Sequence, residues 1–343
     1  MAQTPIRVGV IGAGANTVSK HIPGLLAQPD VEIVSVCNRS QESGERVAAQ
    51  FSIGQVYTNW LDLIHAPDTN AIVIGTWPYM HARLTLAALE AGKHVLCEAR
   101  MAMDADEAHT MLDAAQTVPH LVAQIVPSPM TLGVDRTIRR LIAENYLGDV
   151  LAIDVRAGGT FLDPDAAMHW RNDFDLSGFN TMSMGIWYEA ILRWVGHATT
   201  VTAMAKTFVK TRRTETGVRK PVRVPEHIDV LADMACGAQL HIQVSAVTGL
   251  AGAPEIYLFG SQGTLRYSQN KLYGGRRGDD ALAEIAIPAG EQGGWRVEEE
   301  FVNAIRGLEP VTHTSFEDGV KYMEFTEAAL RSAAGACAIS LPL

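Results

Sequence analysis

Cysteine is scarce in this chain of 343 residues: Cys37, Cys97, Cys236 and Cys337 stand far apart. That spacing excludes a C-x-x-C zinc or redox motif and fits a disulfide framework poorly. Reduced thiols in a cytoplasmic protein are expected, with no metal site. No apolar run approaches the roughly 20 residues that span a bilayer, so no membrane partner is expected. A dense Lys/Arg block is also missing. With a formal net charge of −10, nucleic acid and anionic membrane surfaces are poor partners. There is no basic start followed by an apolar segment, so no secretory leader is expected. Low-complexity tracts and internal repeats are absent. The apolar fraction is that of a globular protein, and the length accommodates two domains of ordinary size.

The most informative stretch present is residues 6–17, IRVGVIGAGANT. It reads as a buried strand entering a glycine turn that opens a helix. The spacing Gly12-x-Gly14-x-x-Thr17 lacks the third glycine of a dinucleotide fingerprint. Gly12 permits a tight turn and Gly14 lets a pyrophosphate approach the backbone. The helix N-terminus beyond supplies amide donors. The same pattern also serves as a ligand-free strand-to-helix turn. A second strand ending near the required distance favours the ligand.

Strands and helices then alternate. Residues 31–36 (VEIVSV), 71–74, 94–97 and 121–126 read as strands; 43–51 and 81–91 read as helices, the latter closed by Gly92. Asp104 and Glu107 form a capping-box pair for a helix to about Thr117. This alternation implies a doubly wound parallel sheet, with ligands beyond the carboxyl ends of its strands. The remainder changes character. Helices are expected over 135–144, 184–195 and 317–334, with strands over 150–161, 231–247, 255–259 and 263–267. The fold expected is an α/β Rossmann domain, residues 1–126, followed by an α+β domain on an open, mostly antiparallel sheet, residues 127–343. Pro127 and Pro129 stiffen the crossing.

The segments VGVIGAGANT, VEIVSVCNRS, HARLTLAALEAGKHVLCEAR and EIYLFGSQGTL, with the closing FVNAIRGLEP and LPL, resemble the glucose–fructose oxidoreductase / inositol dehydrogenase (Gfo/Idh/MocA) family. The resemblance covers nearly the whole chain, and AALEAGKHVLCE is its most specific part. It implies hydride transfer between a nicotinamide and a hydroxyl or carbonyl carbon of a sugar, cyclitol or related small molecule. It also implies a homodimer or homotetramer formed through the C-terminal sheet. The chain departs from the family where the chemistry is usually done. Glu-Lys-Pro becomes Glu98-Ala99-Arg100. The helix signature Asp-x-Gly-x-His-x-x-Asp, aligned on Gly185, offers Ser183, Trp187 and Ala190.

Other residues must then handle the hydroxyl proton, a task contributing roughly 10²–10⁴-fold to rate. Tyr188 stands beside the family's histidine position, and Arg100 could lower its pKa; packing at a helix face is the alternative role. Glu189, next on the same helix, is more readily a solvated carboxylate. His169, in HWRND, titrates near neutral pH and suits an acid or base, or is a surface loop histidine. Arg171 suits a carboxylate or phosphate clamp or a loop ion pair. Asn180 and Trp187 are candidate substrate contacts, Trp187 more readily a core residue. Catalytic candidates are thus Tyr188, His169 and Arg100, and substrate-binding candidates Arg171, Asn180 and Trp187.

Cofactor-binding candidates are Gly12, Ala13, Gly14, Asn16, Thr17, Asn38, Arg39, Ser40, Thr76, Trp77, His81 and Glu98. NAD-selective sites place an acid at the end of the second strand. Here that end is Asn38-Arg39-Ser40, which does not repel a 2′-phosphate and can pair with it. NADP is expected, with NAD as the alternative. Two other readings stay open: a nicotinamide-assisted hydrolase or lyase with no net redox change, and a non-catalytic dinucleotide or sugar sensor. The basic segment 206–223 is expected as a surface excursion and GGRRGDD, 274–280, as a mobile turn.

Overall fold

The computed structural model describes residues 5–343. The chain forms two compact units, one running to Pro127 and completed by Arg296–Val320, the other comprising Ser128–Trp295 and Lys321–Leu343. This differs from two contiguous domains. The segment Arg296–Val320 returns to the first unit, where the Ile125 N–H donates to the Thr314 carbonyl (3.2 Å) and the Gln124 amide donates to Glu300 (3.0 Å). Nothing local in the sequence marks such a return.

The first unit holds six strands, β1 (Ile6–Ile11), β2 (Val31–Cys37), β3 (Gln55–Tyr57), β4 (Ala71–Ile74), β5 (His94–Cys97) and β6 (Ala123–Ile125). They lie in the order β3-β2-β1-β4-β5-β6, every pair parallel. Such strands are covered on both faces and so read as unbroken apolar runs. AIVI in β4 is buried at every position. The order places β1 where the winding reverses, so its glycine turn opens into the crevice at the carboxyl edge. The capping box is present in a shifted form. Asp104 accepts from the Glu107 N–H (2.8 Å), while Glu107 reaches back to the Met103 N–H (3.0 Å). Gly92 closes the helix His81–Glu90 with a positive φ of 71°.

The second unit is built on β7 (Val150–Gly159), β8 (Ala198–Lys206), β11 (His227–Met234), β12 (Gln239–Gly249), β13 (Glu255–Gly260), β14 (Gly263–Ser268), β15 (Lys271–Arg276), β16 (Ala283–Ile285) and β17 (Ile339–Ser340). The order is β16-β15-β14-β13-β7-β12-β11-β8-β17, antiparallel except for the β7–β12 pair. One face carries the buried set Ile153, Val155, Leu240, Ile242, Val230 and Leu258. The alternation of period two leaves Met204, Leu231 and Phe259 on the opposite face, exposed by 80%, 50% and 38%. The basic segment 206–223 contains a small hairpin, β9 (Thr211–Arg213) and β10 (Arg219–Pro221). Arg212 is buried there against Glu226 (2.9 Å) and donates to the carbonyls of Asp163 and Ala166. The excursion therefore grips the loop that precedes His169. Among the described residues no helix is long and apolar enough to cross a membrane.

Candidate active site

The glycine turn is packed too closely for a side chain at its first glycine. Gly12 has φ +84°, and a Cβ there would lie 2.7 Å from the Thr76 backbone nitrogen. A Cβ on Gly75 would meet the Thr17 hydroxyl at 2.1 Å. Gly75 thus leaves the room that lets threonine stand where the fingerprint has its third glycine. Thr17 itself is 1% exposed and its hydroxyl donates to the Gly12 carbonyl (3.3 Å). Contrary to expectation, its side chain supports the turn from beneath and does not face a ligand. Gly14 differs: its φ is ordinary and a Cβ would find no protein atom nearer than 3.9 Å. No internal packing demands glycine there, so the space beside it is free for a ligand.

Asn38 holds the turn from the end of β2, its side-chain oxygen accepting the Ala13 N–H (2.7 Å). Ser40 caps the helix Gln41–Phe51 by accepting from Ser43. Arg39 is exposed, with its guanidinium 5.8 Å from the Trp77 ring centre. These residues line a crevice of about 450 Å³ that also includes Arg46, Thr76 and Tyr79. The buried Thr76 hydroxyl makes no hydrogen bond in the structure. A buried donor without a partner is costly. An open glycine face, an unsatisfied hydroxyl and two arginines on one crevice fit a dinucleotide.

His81 is fully buried and does not reach this crevice. Its ring nitrogens contact the carbonyls of Arg100 (2.8 Å) and Thr76 (3.0 Å). Burial lowers its basicity, so the neutral ring has a single N–H and donates to one of these two carbonyls. Arg100 is 6% exposed, and its backbone carbonyl faces the His81 ring. The Ala99–Arg100 peptide is cis.

Glu98 follows β5 and meets partners that sequence reading missed. Its carboxylate accepts from the Asn16 amide and contacts His21 Nε2 (3.0 Å), while His21 Nδ1 contacts Glu298 (2.5 Å). His21 is completely buried. Burial alone would lower its pKa, but hydrogen bonds and charge from Glu298 and Glu98 outweigh that and raise it to about 9. The same contacts hold the Glu98 carboxyl below its usual range against the opposing effect of burial. Glu298 lies 277 positions from His21, so no motif could have announced the pair.

In the second unit Tyr188 is not a proton shuttle. It is 0% exposed, its ring stacks on Phe325 at 3.7 Å, and its hydroxyl accepts the Ala198 N–H (2.8 Å). Burial pushes the phenol well above its ordinary value, and Glu324 adds to the rise. Trp187 (4% exposed) is likewise core, not a pocket wall. Asn180 (6% exposed) donates to the Ser177 carbonyl at 2.7 Å and shapes a turn. Glu189 is buried and paired with Arg193 (2.7 Å), which also binds Asp135 (3.0 Å). His169 and Arg171 remain exposed on a short turn. The Arg171 guanidinium lies 4.2 Å from the Trp170 ring centre, and His169 Nδ1 accepts the Arg171 N–H. Partial burial, then the Arg171 charge, lower the His169 pKa. Among the described residues no His/Cys/Asp/Glu group suits a metal ion.

Residues 6–124 match the oxidoreductase family with an NAD-binding Rossmann fold, and residues 136–266 match the GFO/IDH/MocA C-terminal domain. The chain belongs to the Gfo/Idh/MocA oxidoreductase family. Its relatives include 1,5-anhydro-D-fructose reductase of Ensifer adhaerens, 32% identical over 147 residues (43% of this chain, 40% of the relative). D-glucoside 3-dehydrogenase of Escherichia coli strain K12 is 27% identical over 157 residues (46% and 44%). The chain spans about half the length of the curated relatives it matches. Among solved structures, an oxidoreductase domain protein from Kribbella flavida superposes with TM-score 0.86 at 23% identity, covering 99% of this chain and 100% of that one. Levoglucosan dehydrogenase in complex with NADH and L-sorbose gives 0.84 at 20%, covering 98% and 99%. At these identities the structural likeness is one of fold. The likeness of fold extends over both units, since the superpositions cover 98% or more of the chain.

Two outcomes follow from this geometry. Tyr188→Phe removes one acceptor from the core and should cost about 1 kcal/mol in denaturant unfolding, with the pH profile of any turnover unchanged; a folded variant without activity would restore Tyr188 as a shuttle. For His21 the folded pKa, about 9, exceeds its ordinary 6.5. Its stabilisation is therefore complete below pH 6.5 and lost as pH rises through 9. The thermal midpoint should fall across that window in the wild type, and His21→Gln should lack this component.

Proposed function

We propose that this protein is an oxidoreductase that moves a hydride between a nicotinamide, preferably NADP, and a hydroxyl or carbonyl carbon of a sugar, cyclitol or related small molecule. The observation that carries the cofactor choice is Arg39 at the carboxyl end of β2, where an acid would select NAD. It shares its crevice with Arg46 and Ser43, so two cations and a hydroxyl are available to a 2′-phosphate. Trp77 offers an aromatic face on the same crevice. The nicotinamide supplies the hydride chemistry; the chain supplies binding and orientation. Gly14, Thr76 and the Ala13–Asn38 pair would hold the phosphates and adjoining ribose. With Tyr188 locked in the core, His169 is the remaining proton-shuttle candidate and Arg171 the substrate clamp. The relatives named as a reductase and a dehydrogenase of sugar derivatives support the substrate class.

A second reading has its own observation. The helix Met184–Val195 presents Trp187 and Ala190, both buried, where the family carries ionisable residues. A protein that binds the dinucleotide without turning it over would look the same there. A screen of polyols, sugars and cyclic ketones for change in cofactor absorbance separates the two. Net change in the cofactor with any substrate favours the first reading; binding with none favours the second.

A cytoplasmic location is proposed on the four free cysteines, two of them exposed. A homodimer or homotetramer is proposed through the open sheet face. There Met204, Leu231 and Phe259 accompany a polar array in which His241 bonds Asp154 (2.9 Å) and Asp229 (3.1 Å). Apolar residues at that exposure on a broad sheet favour a covering partner.

Arg39→Asp should lower the affinity for NADPH by about tenfold or more relative to NADH, since a charge-assisted bond gives way to like-charge repulsion; calorimetric titration of both cofactors measures it, and an unchanged ratio refutes the phosphate contact. Met204→Asp should shift light-scattering mass toward the monomer, and an unaltered mass would place the interface elsewhere.

A further inference from the structure

The basic hairpin of the second unit meets the loop of His169 at two separate points. β9 and β10 pair antiparallel, and Lys220 stands directly opposite Arg212. Side chains directly opposite in such a pair project from the same face. Arg212 reaches the chain before His169, and Lys220 reaches the chain after it. We infer that Arg212 and Lys220 are positioning residues, a brace that fixes both flanks of the turn carrying His169 and Arg171. The inference rests on the reading in which that turn handles the substrate.

Arg212 holds the first flank. Its side chain is 6% exposed, and its guanidinium is shared between two pieces of chain. Nη1 donates to the carbonyls of Asp163 (2.9 Å) and Ala166 (3.0 Å), and Nη2 donates to Glu226 (2.9 Å). Glu226 in turn accepts the N–H groups of Phe208 (2.8 Å) and Val209 (2.9 Å) at the root of the hairpin. The planar fork serves both ends at once, which a single ammonium on a lysine stem does not. The hairpin backbone adds the next contact: the Met168 N–H donates to the Arg213 carbonyl (2.7 Å). These attachments end one residue before His169.

Lys220 holds the second flank. Its ammonium donates to Asp173 (2.6 Å) and to Asp175 (3.2 Å). Arg223 also pairs with Asp175, and its guanidinium lies 4.6 Å from the Phe174 ring centre. Asp173 is buried and accepts the Asp175 N–H (3.2 Å), which caps the short helix Phe174–Ser177. From that helix the Ser177 hydroxyl donates back to the Arg171 carbonyl (3.4 Å). An exposed loop is mobile unless it is tied down. A group that must meet a substrate atom has to be held close to one geometry, since small displacements cost much of the rate. Charge-assisted hydrogen bonds on both sides of the turn meet that need. In this scheme neither Arg212 nor Lys220 touches the substrate; they act through His169 and Arg171.

The test is an NMR titration of the His169 ring, with amide exchange alongside, in the wild type, Arg212→Lys and Lys220→Met; His169→Gln assigns the ring signal. Partial burial and then the Arg171 charge hold the wild-type ring below its ordinary 6.5. Each variant should move the titration back toward 6.5. The Met168 and Ser177 amides, bonded to Arg213 and Asp173, should exchange roughly tenfold faster, as expected when a hydrogen bond to a charged group is lost. Lys220→Met, at a side chain 34% exposed, carries the test if the buried Arg212→Lys does not fold. An unmoved His169 titration in a folded variant, whatever the exchange rates, would show a purely structural hairpin and overturn the inference. A shifted titration in a protein that alters the cofactor with no sugar, polyol or cyclic ketone would leave the brace standing and overturn the catalytic reading of the turn.

Discussion

A carboxylate taken out of water must find a cation or lose its charge, and in the first unit this requirement binds together segments from opposite ends of the chain. Glu98 follows β5 in the first hundred residues, His21 follows the glycine turn, and Glu298 arrives on a segment that returns after eight of the nine strands of the second sheet. Once these groups are paired, the helix after the glycine turn and the turn after β5 cannot move independently. The crevice itself opens between the glycine turn, the end of β2 and the turn after β4, and the buried groups anchor the helical segment that continues the first of these.

What the sequence shows by itself is whatever depends on near neighbours. The parallel sheet is legible because doubly covered strands are short and largely apolar, as AIVI and the VLC of β5 are. The strand–glycine–helix turn is legible because Gly12, Gly14 and Asn38 act through backbone geometry at fixed offsets. The capping pair at Asp104 and Glu107 is legible for the same reason. What could not be read are the contacts whose partners are distant along the chain: Glu298 to His21, Thr314 to Ile125, Arg212 to the loop before His169. Contiguous domain boundaries fail at Arg296–Val320 for this reason alone.

The structure departs from the expected site at residues that share one cause. Tyr188, Asn180, Thr17 and His81 are candidates by chemical type and by distance from a motif, whereas the direction of each side chain depends on the face of its element that it takes; Trp187 lies in the core, as expected. Tyr188 lies on the face that meets Phe325, so its hydroxyl finds a backbone amide and not a substrate. His81 shows the same effect in the first unit. Its ring lies buried between the carbonyls of Thr76 and Arg100 and spends its one N–H on a backbone oxygen, away from the crevice. The missing third glycine had a local explanation too, in Gly75 on the neighbouring strand end, which no reading of the turn alone would supply.

Cofactor recognition and proton handling are physically separable in such a protein, and this chain separates them. In the proposed reading, recognition would rest on backbone amides, on a glycine kept open without internal need, and on cations at the end of β2. None of that depends on the lysine, histidine or aspartate that Ala99, Trp187 and Ala190 replace. On the helix Met184–Val195, Trp187 and Ala190 are buried apolar side chains, so those two positions hold no ionisable group. Any proton that leaves or enters a substrate hydroxyl must then travel through groups that stay in contact with water. Exposed, weakly basic His169 meets that condition and buried Tyr188 does not. In the proposed reading the chemistry then falls to the loop that carries His169, since Tyr188 is locked into the packing of the helix by Phe325 and the Ala198 amide.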